Sequence, residues 1–173
     1  MKSRKVLIIA EAGVNHNGSI KLAKKLIDVA VKAKADIVKF QTFRAENLVT
    51  QKAKTAEYQK TNTGEDNQFN MLKKLEISEK LHVKLFNRCK ELDIEFLSTP
   101  FDTESAKFLI NLGMKKIKVP SGELTNIHFI EELSAFNLPM IVSTGMGTLL
   151  EVKNVIETIE NIRQFNHYNR PLS

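Results

Sequence analysis

The feature that most constrains the fold is a repeated alternation between short β-branched runs and longer stretches with helical spacing of apolar residues. The runs that predict buried strands are Lys5–Ala10, Ile37–Gln41, Glu95–Thr99, Lys116–Val119 and Met140–Ser143. Between strands, apolar residues recur at helical spacing, as Ala23, Ile27 and Ala30 do. Five strand–helix units in series predict right-handed crossovers and a parallel sheet, so the predicted fold class is α/β.

Two architectures are compatible with this series: an open doubly wound sheet, and part of a (β/α)₈ TIM barrel. Reactive side chains accompany the end of every predicted strand, and they are Glu11, Lys39, Gln41, Ser98, Thr99, Lys118, Ser121, Glu123, Ser143 and Thr144. An open sheet concentrates its site at one switch point, whereas a barrel gathers residues from many strand ends. The distribution favours a partial TIM barrel of about five βα units, because a whole barrel typically needs about 250 residues. We predict an incomplete barrel domain over residues 1–163 and a polar tail over 164–173.

Composition excludes several classes of function. The net charge is +6, but the early lysines fall on one helix face opposite its apolar stripe, and no zinc-finger spacing occurs. The apolar run Val6–Ala10 is shorter than the roughly 7–15 residues of a signal-peptide core. The single Cys89 cannot form an internal disulfide, which fits a reducing compartment. We therefore expect a cytoplasmic protein with neither nucleic acid nor membrane as a partner.

Two lysines are the most informative residues. Lys39 and Lys118 each alternate with apolar neighbours in a predicted strand, which places both on an interior face. Burying an unpaired ammonium is costly, so each lysine needs an anionic partner or must shed its proton. A structural ion pair with Glu11 or Glu123 is one interpretation. Two such lysines at equivalent strand ends favour an anion site or a Schiff-base lysine.

Other polar residues near the strand ends carry weaker signals. The segments Ser121–Glu123 and Ser143–Gly147 offer small residues and free backbone N–H groups that can wrap a phosphate. His16 lies in a turn, where it either donates to a ligand or holds the turn. His82 and His128 fall on predicted helices, where packing or solvent exposure is expected.

The motifs become specific when they are read together and in order. They are Ile8–Gly18, Val38–Thr42, Phe96–Asp102, Ser121–Leu124 and Ser143–Met146. This series closely resembles the sialic acid synthase family, which includes N-acetylneuraminate and N,N′-diacetyllegionaminate synthases. The likeness runs from about Lys5 to about Glu160. It implies a (β/α)₈ barrel followed by a small antifreeze-like domain that completes the site of the partner subunit in a homodimer.

The resemblance also implies a reaction and a set of residues. Phosphoenolpyruvate would condense with an open-chain N-acetylated mannosamine-type sugar, and a divalent metal, Mn²⁺ or Mg²⁺, would polarise the aldehyde. The residues that would hold phosphoenolpyruvate are Lys39, Lys118, Ser121 and Ser143, with the backbone of Gly145 and the side chain of Met146 beside it. The remaining implied roles belong to Glu11 at the reacting carbons, and to Gln41 and Glu123 on the sugar. The long polar connection over residues 42–67 would act as a lid.

The family's metal-binding histidines lie beyond Ser173, so we expect no metal site, no later barrel strands and no antifreeze-like domain in this chain. A truncated or frameshifted coding sequence would explain this, and we expect weak or no turnover and self-association of the isolated chain. Two other functions stay open. One is a Schiff-base aldolase that uses Lys39 or Lys118, and the other is a non-catalytic fragment that acts as a binding or interaction module.

Overall fold

The computed structural model describes residues 6–50 and 67–168, and the side chains as far as residue 166. The chain separates into two compact units, Met1–Ser98 and Thr99–Ser173. The strands are β1 (Ile9–Gly13), β2 (Ile37–Thr42), β3 (Glu95–Pro100), β4 (Ile117–Val119) and β5 (Met140–Val142). The helices are α1 (Ile20–Lys32), α2 (Ala45–Leu48), α3 (Gln68–Leu75), α4 (Glu79–Glu91), α5 (Thr103–Leu112), α6 (Ile127–Ala135) and α7 (Leu149–Tyr168), with a 3₁₀ turn at Ser121–Glu123.

Parallel pairing organises the strands. Strands β1, β2 and β3 lie side by side in that order, and β4 pairs with β5. Strand β1 runs parallel to β2, with Glu11 opposite Lys39, and β4 runs parallel to β5, with Lys118 opposite Ile141. The parallel arrangement confirms the α/β prediction. It also brings the carboxyl ends of neighbouring strands to one edge, where the reactive side chains of each pair lie close together.

The predicted first strand, Lys5–Ala10, is wrong in its position. Strand β1 begins at Ile9, and the residues before it, Val6 to Ile8, are exposed rather than buried on both faces. The reason is the partner strand, because β2 begins at Ile37 and Ile37 pairs with Ile9. Ile8 instead closes the start of the pair: its carbonyl accepts from the N–H of Asp36, and its own N–H donates to the Asp36 carboxylate.

The helix that follows β1 shows why the sequence folds locally as it does. Ser19 caps α1, and its side chain accepts a hydrogen bond from the N–H of Leu22. The apolar stripe Ala23, Ile27 and Ala30 is buried, as its spacing predicts. The lysines of α1 lie on the remaining faces, which accounts for the basic charge of this segment without a ligand.

Capping residues close in sequence also determine where the helices of the second unit begin and end. Asp102 caps α5 through the N–H of Ser105, and Gly113 ends that helix in the left-handed conformation, with φ +115°. Thr148 and Glu151 form a reciprocal capping box at the start of α7, with hydrogen bonds in both directions. Each of these contacts joins residues three positions apart, so the sequence alone predicts them.

The last helix, α7, differs from one expectation about burial. The helical spacing of apolar residues predicts that Ile156 points inward from this helix, yet Ile156 is half exposed, whereas Val155 beside it is buried. Helix α7 packs on α6, and this contact covers the face that carries Val155. Helix α7 continues to Tyr168. Within the polar connection, residues 45–48 form α2, while residues 51–66, the centre of the hypothesised lid, lie outside the described residues.

Candidate functional site

Glu11 and Lys39 form an ion pair across β1 and β2. The Lys39 side chain is 11% exposed, whereas that of Glu11 is 54% exposed. The Lys39 ammonium is therefore almost buried, while its partner, the Glu11 carboxylate, remains half in solvent. The expectation that a buried lysine needs an anionic partner is met here by Glu11, and the exposed part of that carboxylate is the part that a ligand can reach.

A bulge in β1 shapes this pair. The β1–β2 register shifts between Glu11 and Gly13, and Gly13 has a φ of +52°. A Cβ atom at Gly13 would lie 3.3 Å from Oε1 of Glu11 and 3.7 Å from Nε2 of Gln41. Bulges re-aim side chains at sheet ends, and here the side chains of Glu11 and Gln41 both lie close to a residue without a side chain. We name Glu11, Gly13, Lys39 and Gln41 the Glu11–Lys39 cluster.

His16 holds the turn that follows this cluster. Its side chain is fully buried, and Nδ1 accepts a hydrogen bond of 3.0 Å from the N–H of Gly18. Because Nδ1 accepts, the ring proton lies on Nε2, which has no hydrogen-bond partner among residues 6–50 and 67–168. Desolvation lowers the pKa of His16, and the nearby His82 lowers it further. The structure therefore gives His16 the turn-holding role, in its neutral form.

A second cluster lies at the ends of β4 and β5. Nζ of Lys118 donates to Oγ of Ser143 and to the backbone carbonyl of Val119, each at 2.6 Å. The N–H of Ser143 in turn donates to the same Val119 carbonyl at 3.1 Å. The Lys118 side chain therefore reaches beyond its own strand to the end of the neighbouring one. Both acceptors at these two contacts are neutral oxygens.

Ser121 and Gly145 line an open cleft of about 300 Å³ in the same unit. A Cβ atom at Gly145 would lie 3.4 Å from Oγ of Ser121, so this hydroxyl packs directly against the glycine backbone. The residues that line the cleft are Ser121, Gly122, Leu124, Thr125, Gly145, Met146, Gly147 and Glu151. This volume suits a small molecule. We name Lys118, Ser121, Ser143 and Gly145 the Lys118 cluster.

Met146 occupies the left-handed region with φ +62°, and its side chain is fully exposed beside the cleft. That conformation costs a non-glycine residue about 1 kcal/mol. Glu123 is not among the lining residues, since its carboxylate accepts a hydrogen bond of 2.9 Å from the side chain of Asn126. The structure thus joins Met146 to the cleft but turns Glu123 toward α6.

Glu151 is a cleft residue that the sequence analysis assigned only to helix capping. Its carboxylate accepts hydrogen bonds from the N–H and the hydroxyl of Thr148 at 2.6 and 2.9 Å. These bonds hold the pKa of Glu151 below its usual value. A fixed negative charge therefore lines the cleft, opposing any anion that enters it. The capping-box spacing identified the residue, but only the folded turn shows that it faces a cleft.

A divalent cation such as Mn²⁺ or Mg²⁺ needs several ligand atoms that converge on one point. In the described parts of the chain, no three His, Cys, Asp or Glu side chains converge to hold a metal ion. The Glu11–Lys39 cluster contributes a single carboxylate that is already paired with an ammonium, and the Lys118 cluster contributes hydroxyls and an ammonium. Neither set fits Mn²⁺ or Mg²⁺, which favour several oxygen ligands of negative or neutral charge.

Across residues 6–50 and 67–168, no helix combines the length and apolar character needed to cross a membrane.

Comparison with known proteins places this chain in a family. The model of the NeuB family matches residues 26–168, which is most of the chain. The chain belongs to the NeuB family. It is 51% identical over 154 residues to an N,N′-diacetyllegionaminic acid synthase of Legionella pneumophila, covering 88% of this chain and 43% of that protein. It is 48% identical over 157 residues to the Campylobacter jejuni protein of the same name, covering 90% and 47%. The chain thus spans less than half the length of these two NeuB relatives.

A solved structure supports the same assignment. The sialic acid synthetase of Leptospira borgpetersenii, crystallised with citrate, superposes with a TM-score of 0.79 at 29% identity. The match covers 92% of this chain and 52% of that one. Because the NeuB relative is a barrel of which this chain matches only part, the predicted class, a partial α/β barrel, is confirmed. The predicted resemblance to the sialic acid synthase family is confirmed as well.

Sequence reasoning missed the part played by His82. It was expected in a packing or solvent role. Its ring is buried, which fits packing, but the hydrogen bonds of the ring to Thr42 and to the Ser78 carbonyl were not predicted. Thr42 follows Gln41 directly, and its neighbour in the network, Ser98, was noted only as a polar strand-end residue. No spacing rule links residues so far apart, so the sequence held no signal for this contact.

Proposed function

We propose that this chain provides part of the catalytic machinery of a nonulosonic acid synthase. The reaction would condense phosphoenolpyruvate with the open-chain form of an N-acetylated mannosamine-type sugar. Support comes from membership of the NeuB family and from relatives named as legionaminic and sialic acid synthases. The single observation that carries the proposal is the pair of contacts in the Lys118 cluster. The Lys118 ammonium donates to Ser143, and Ser121, three residues after Lys118, packs against Gly145, two residues after Ser143.

The Lys118 cluster has the chemistry of a small-anion site. Lys118 supplies the positive charge, and the Ser121 hydroxyl supplies a donor beside the cleft. The chain around Gly145 lies directly before the N-terminus of α7, where backbone N–H groups favour anions. Charge-assisted hydrogen bonds of this kind are about twice as strong as neutral ones. We assign the phosphate or carboxylate of phosphoenolpyruvate to this cluster, and Ser143 keeps Lys118 in place.

The atoms and electrons of the proposed reaction balance, and the reaction needs water but no oxidant or reductant. The enol carbon C3 of phosphoenolpyruvate attacks the sugar aldehyde carbon, forming the new C–C bond, and the aldehyde oxygen takes up a proton. Water then adds at C2, and phosphate leaves from the tetrahedral intermediate. For the Glu11–Lys39 cluster we propose the role of orienting or protonating the aldehyde oxygen, because its carboxylate is half exposed and its charge is balanced by Lys39. Lys39 also stays a proposed contact of phosphoenolpyruvate. Gln41 and Glu123 stay the proposed sugar contacts.

Several finer features belong to this proposal. They are the identity of the amino sugar, a requirement for Mn²⁺ or Mg²⁺ in the full-length protein, a homodimer, and an incomplete barrel domain over residues 1–163. The described residues do not fit a metal by themselves. The roles above therefore rest on side chains of this chain alone.

Phosphoenolpyruvate binding to the chain tests the proposal without requiring turnover. Titration followed by ³¹P NMR should give saturable binding, and Lys118→Met should weaken it at least tenfold. Lys115→Met is the matched control, because Lys115 is an exposed lysine three residues earlier in the chain. Equal affinity in the two variants would remove the anion site assigned to Lys118.

Turnover is then measured as phosphate released from phosphoenolpyruvate in the presence of N-acetylmannosamine and Mn²⁺. Release that needs both the sugar and Lys118 supports a synthase. Binding without release under these conditions identifies the chain as a ligand-binding module, which is the non-catalytic alternative raised by the sequence.

A further inference from the structure

Three polar side chains from three different elements form a buried chain of hydrogen bonds. Oγ of Ser98, in β3, lies 2.7 Å from Oγ1 of Thr42, at the end of β2. Oγ1 of Thr42 lies 2.8 Å from Nε2 of His82, in α4. Nδ1 of His82 lies 3.0 Å from the backbone carbonyl of Ser78. Ser98 and His82 are almost fully buried, and Thr42 is buried as well.

The backbone carbonyl at one end fixes the direction of these bonds. A carbonyl only accepts, so the proton of the His82 ring lies on Nδ1 and is donated to Ser78. Nε2 is then an acceptor, and it takes the hydroxyl proton of Thr42. The oxygen of Thr42 in turn accepts from the hydroxyl of Ser98. The polar chain therefore runs in one direction, from Ser98 through Thr42 to His82.

This geometry links the network to the Glu11–Lys39 cluster. Thr42 is the last residue of β2 and follows Lys39 by three positions and Gln41 by one. Its hydroxyl ties that end of β2 to both β3 and α4. We propose that His82, acting through Thr42, is a positioning residue that fixes the carboxyl end of β2 and so sets the placement of Lys39 and Gln41 for ligand binding. This proposal rests on the proposed function of those two residues.

The charge of His82 governs the direction of the network. Desolvation lowers the pKa of His82, and the hydrogen bond to Ser78 and the charge of Glu79 only partly oppose this effect. The charge of His82 in turn lowers the pKa of His16. A proton added to His82 goes to Nε2, because Nδ1 already carries one. Nε2 would then donate to Thr42, and the Thr42 hydroxyl would have to turn away from His82, which reverses the chain.

The test separates the hydroxyl from the shape of residue 42. Thr42→Val keeps the branched shape and removes the hydroxyl, whereas Thr42→Ser keeps the hydroxyl. We expect Thr42→Val to weaken phosphoenolpyruvate binding by the chain about tenfold at pH 7.5, and Thr42→Ser to bind within about twofold of the wild-type chain. A loss shared equally by both variants would overturn the proposal, since it would reflect packing alone.

The pH dependence of phosphoenolpyruvate affinity is a second measurement, and a purely packing role of His82 would not change it. His82→Gln replaces the ring by an amide whose oxygen still accepts from Thr42 but does not titrate. Phosphoenolpyruvate titrates in the same range, so the His82→Gln profile serves as the baseline. Wild-type affinity should fall below that baseline on acidification, with the midpoint at which the His82 ring nitrogens titrate in ¹⁵N NMR. Identical pH profiles for the wild-type chain and His82→Gln would overturn the proposal. A ¹⁵N NMR spectrum that shows the neutral His82 ring protonated on Nε2 would also overturn it.

Two different measurements distinguish failure of the proposed function from failure of the positioning role of His82. If the wild-type chain shows no phosphoenolpyruvate binding, the proposed function fails, and amide hydrogen exchange over residues 39–42 decides the positioning role. Thr42→Val must then speed exchange in that segment at least tenfold relative to both the wild-type chain and Thr42→Ser. Unchanged exchange would remove the positioning role as well.

Discussion

The Glu11–Lys39 ion pair predicts an unequal response to the loss of each partner. Glu11→Gln leaves an ammonium that is almost buried and has lost its counter-charge, because the Lys39 side chain is only 11% exposed. Lys39→Met leaves a carboxylate that is 54% exposed and that water can solvate. The unbranched methionine chain also resembles the apolar stem of lysine and carries no charge that needs a partner. Removing the acid should therefore cost more stability than removing the base.

The magnitudes follow from these exposures. Removing one partner of a fully buried pair costs about 3–5 kcal/mol. Because Glu11 is half solvated, and because a glutamine oxygen still accepts from the ammonium, we expect about 2 kcal/mol for Glu11→Gln. For Lys39→Met we expect less than about 1 kcal/mol, since an apolar replacement of a buried charge is often neutral. The double variant should resemble Lys39→Met, because the stranded ammonium is then absent.

Urea unfolding followed by far-ultraviolet circular dichroism measures this difference, since the chain has no tryptophan to report by fluorescence. With a slope of about 2 kcal/mol/M, a loss of 2 kcal/mol lowers the midpoint by about 1 M. The refuting result is a Lys39→Met variant that loses as much stability as Glu11→Gln, or more. That outcome would mean that the ammonium is solvated and that the pair is not a buried one.

Three further predictions concern acid, covalent trapping and the cleft. The pKa values of His16 and His82 are lowered in the folded chain. The stability that the two neutral rings contribute is therefore complete above about pH 6.5 and is lost as the pH falls through the folded values, by up to about 2.7 kcal/mol per pH unit for the two together. His82→Gln should reduce this slope by about half in urea titrations. Borohydride with pyruvate should leave the mass of the chain unchanged, because we assign Lys39 and Lys118 to charge and not to Schiff-base chemistry; an adduct on either lysine would favour the aldolase alternative. Glu151→Gln should tighten phosphoenolpyruvate binding several-fold by removing a negative charge from the cleft, and should lower the thermal midpoint slightly through the weakened cap; weaker binding would contradict an anion site there.

The candidate site was predicted in part from sequence, because strand ends gather residues at one edge of a parallel pair. The sequence identified Lys118, Ser121 and Ser143 as residues at the ends of neighbouring strands, and the structure joins Lys118 to Ser143 at 2.6 Å. An ion pair between Lys39 and Glu11 was also one of the interpretations that the sequence allowed. It did not predict that Glu123 turns to Asn126 or that Glu151 faces the cleft, because both depend on how a turn folds.

Contacts between near neighbours in the chain are what the sequence determined by itself. The cap of Asp102 on Ser105, the Thr148–Glu151 box and the buried stripe of α1 depend on residues three or four positions apart, whose geometry follows from the helix alone. The alternation of strands and helices is of the same local kind. Together these signals determined the α/β class and the order of its units.

The tertiary structure decided every feature that joins distant residues. Strand β1 begins at Ile9 because its partner begins at Ile37, not because its own apolar run begins there. His82 became part of a polar network only when folding brought its ring to Thr42, 40 positions away, which in turn bonds to Ser98. A buried polar group must find a hydrogen-bond partner wherever the packing provides one. Which residue that is depends on the packed arrangement and not on spacing along the chain.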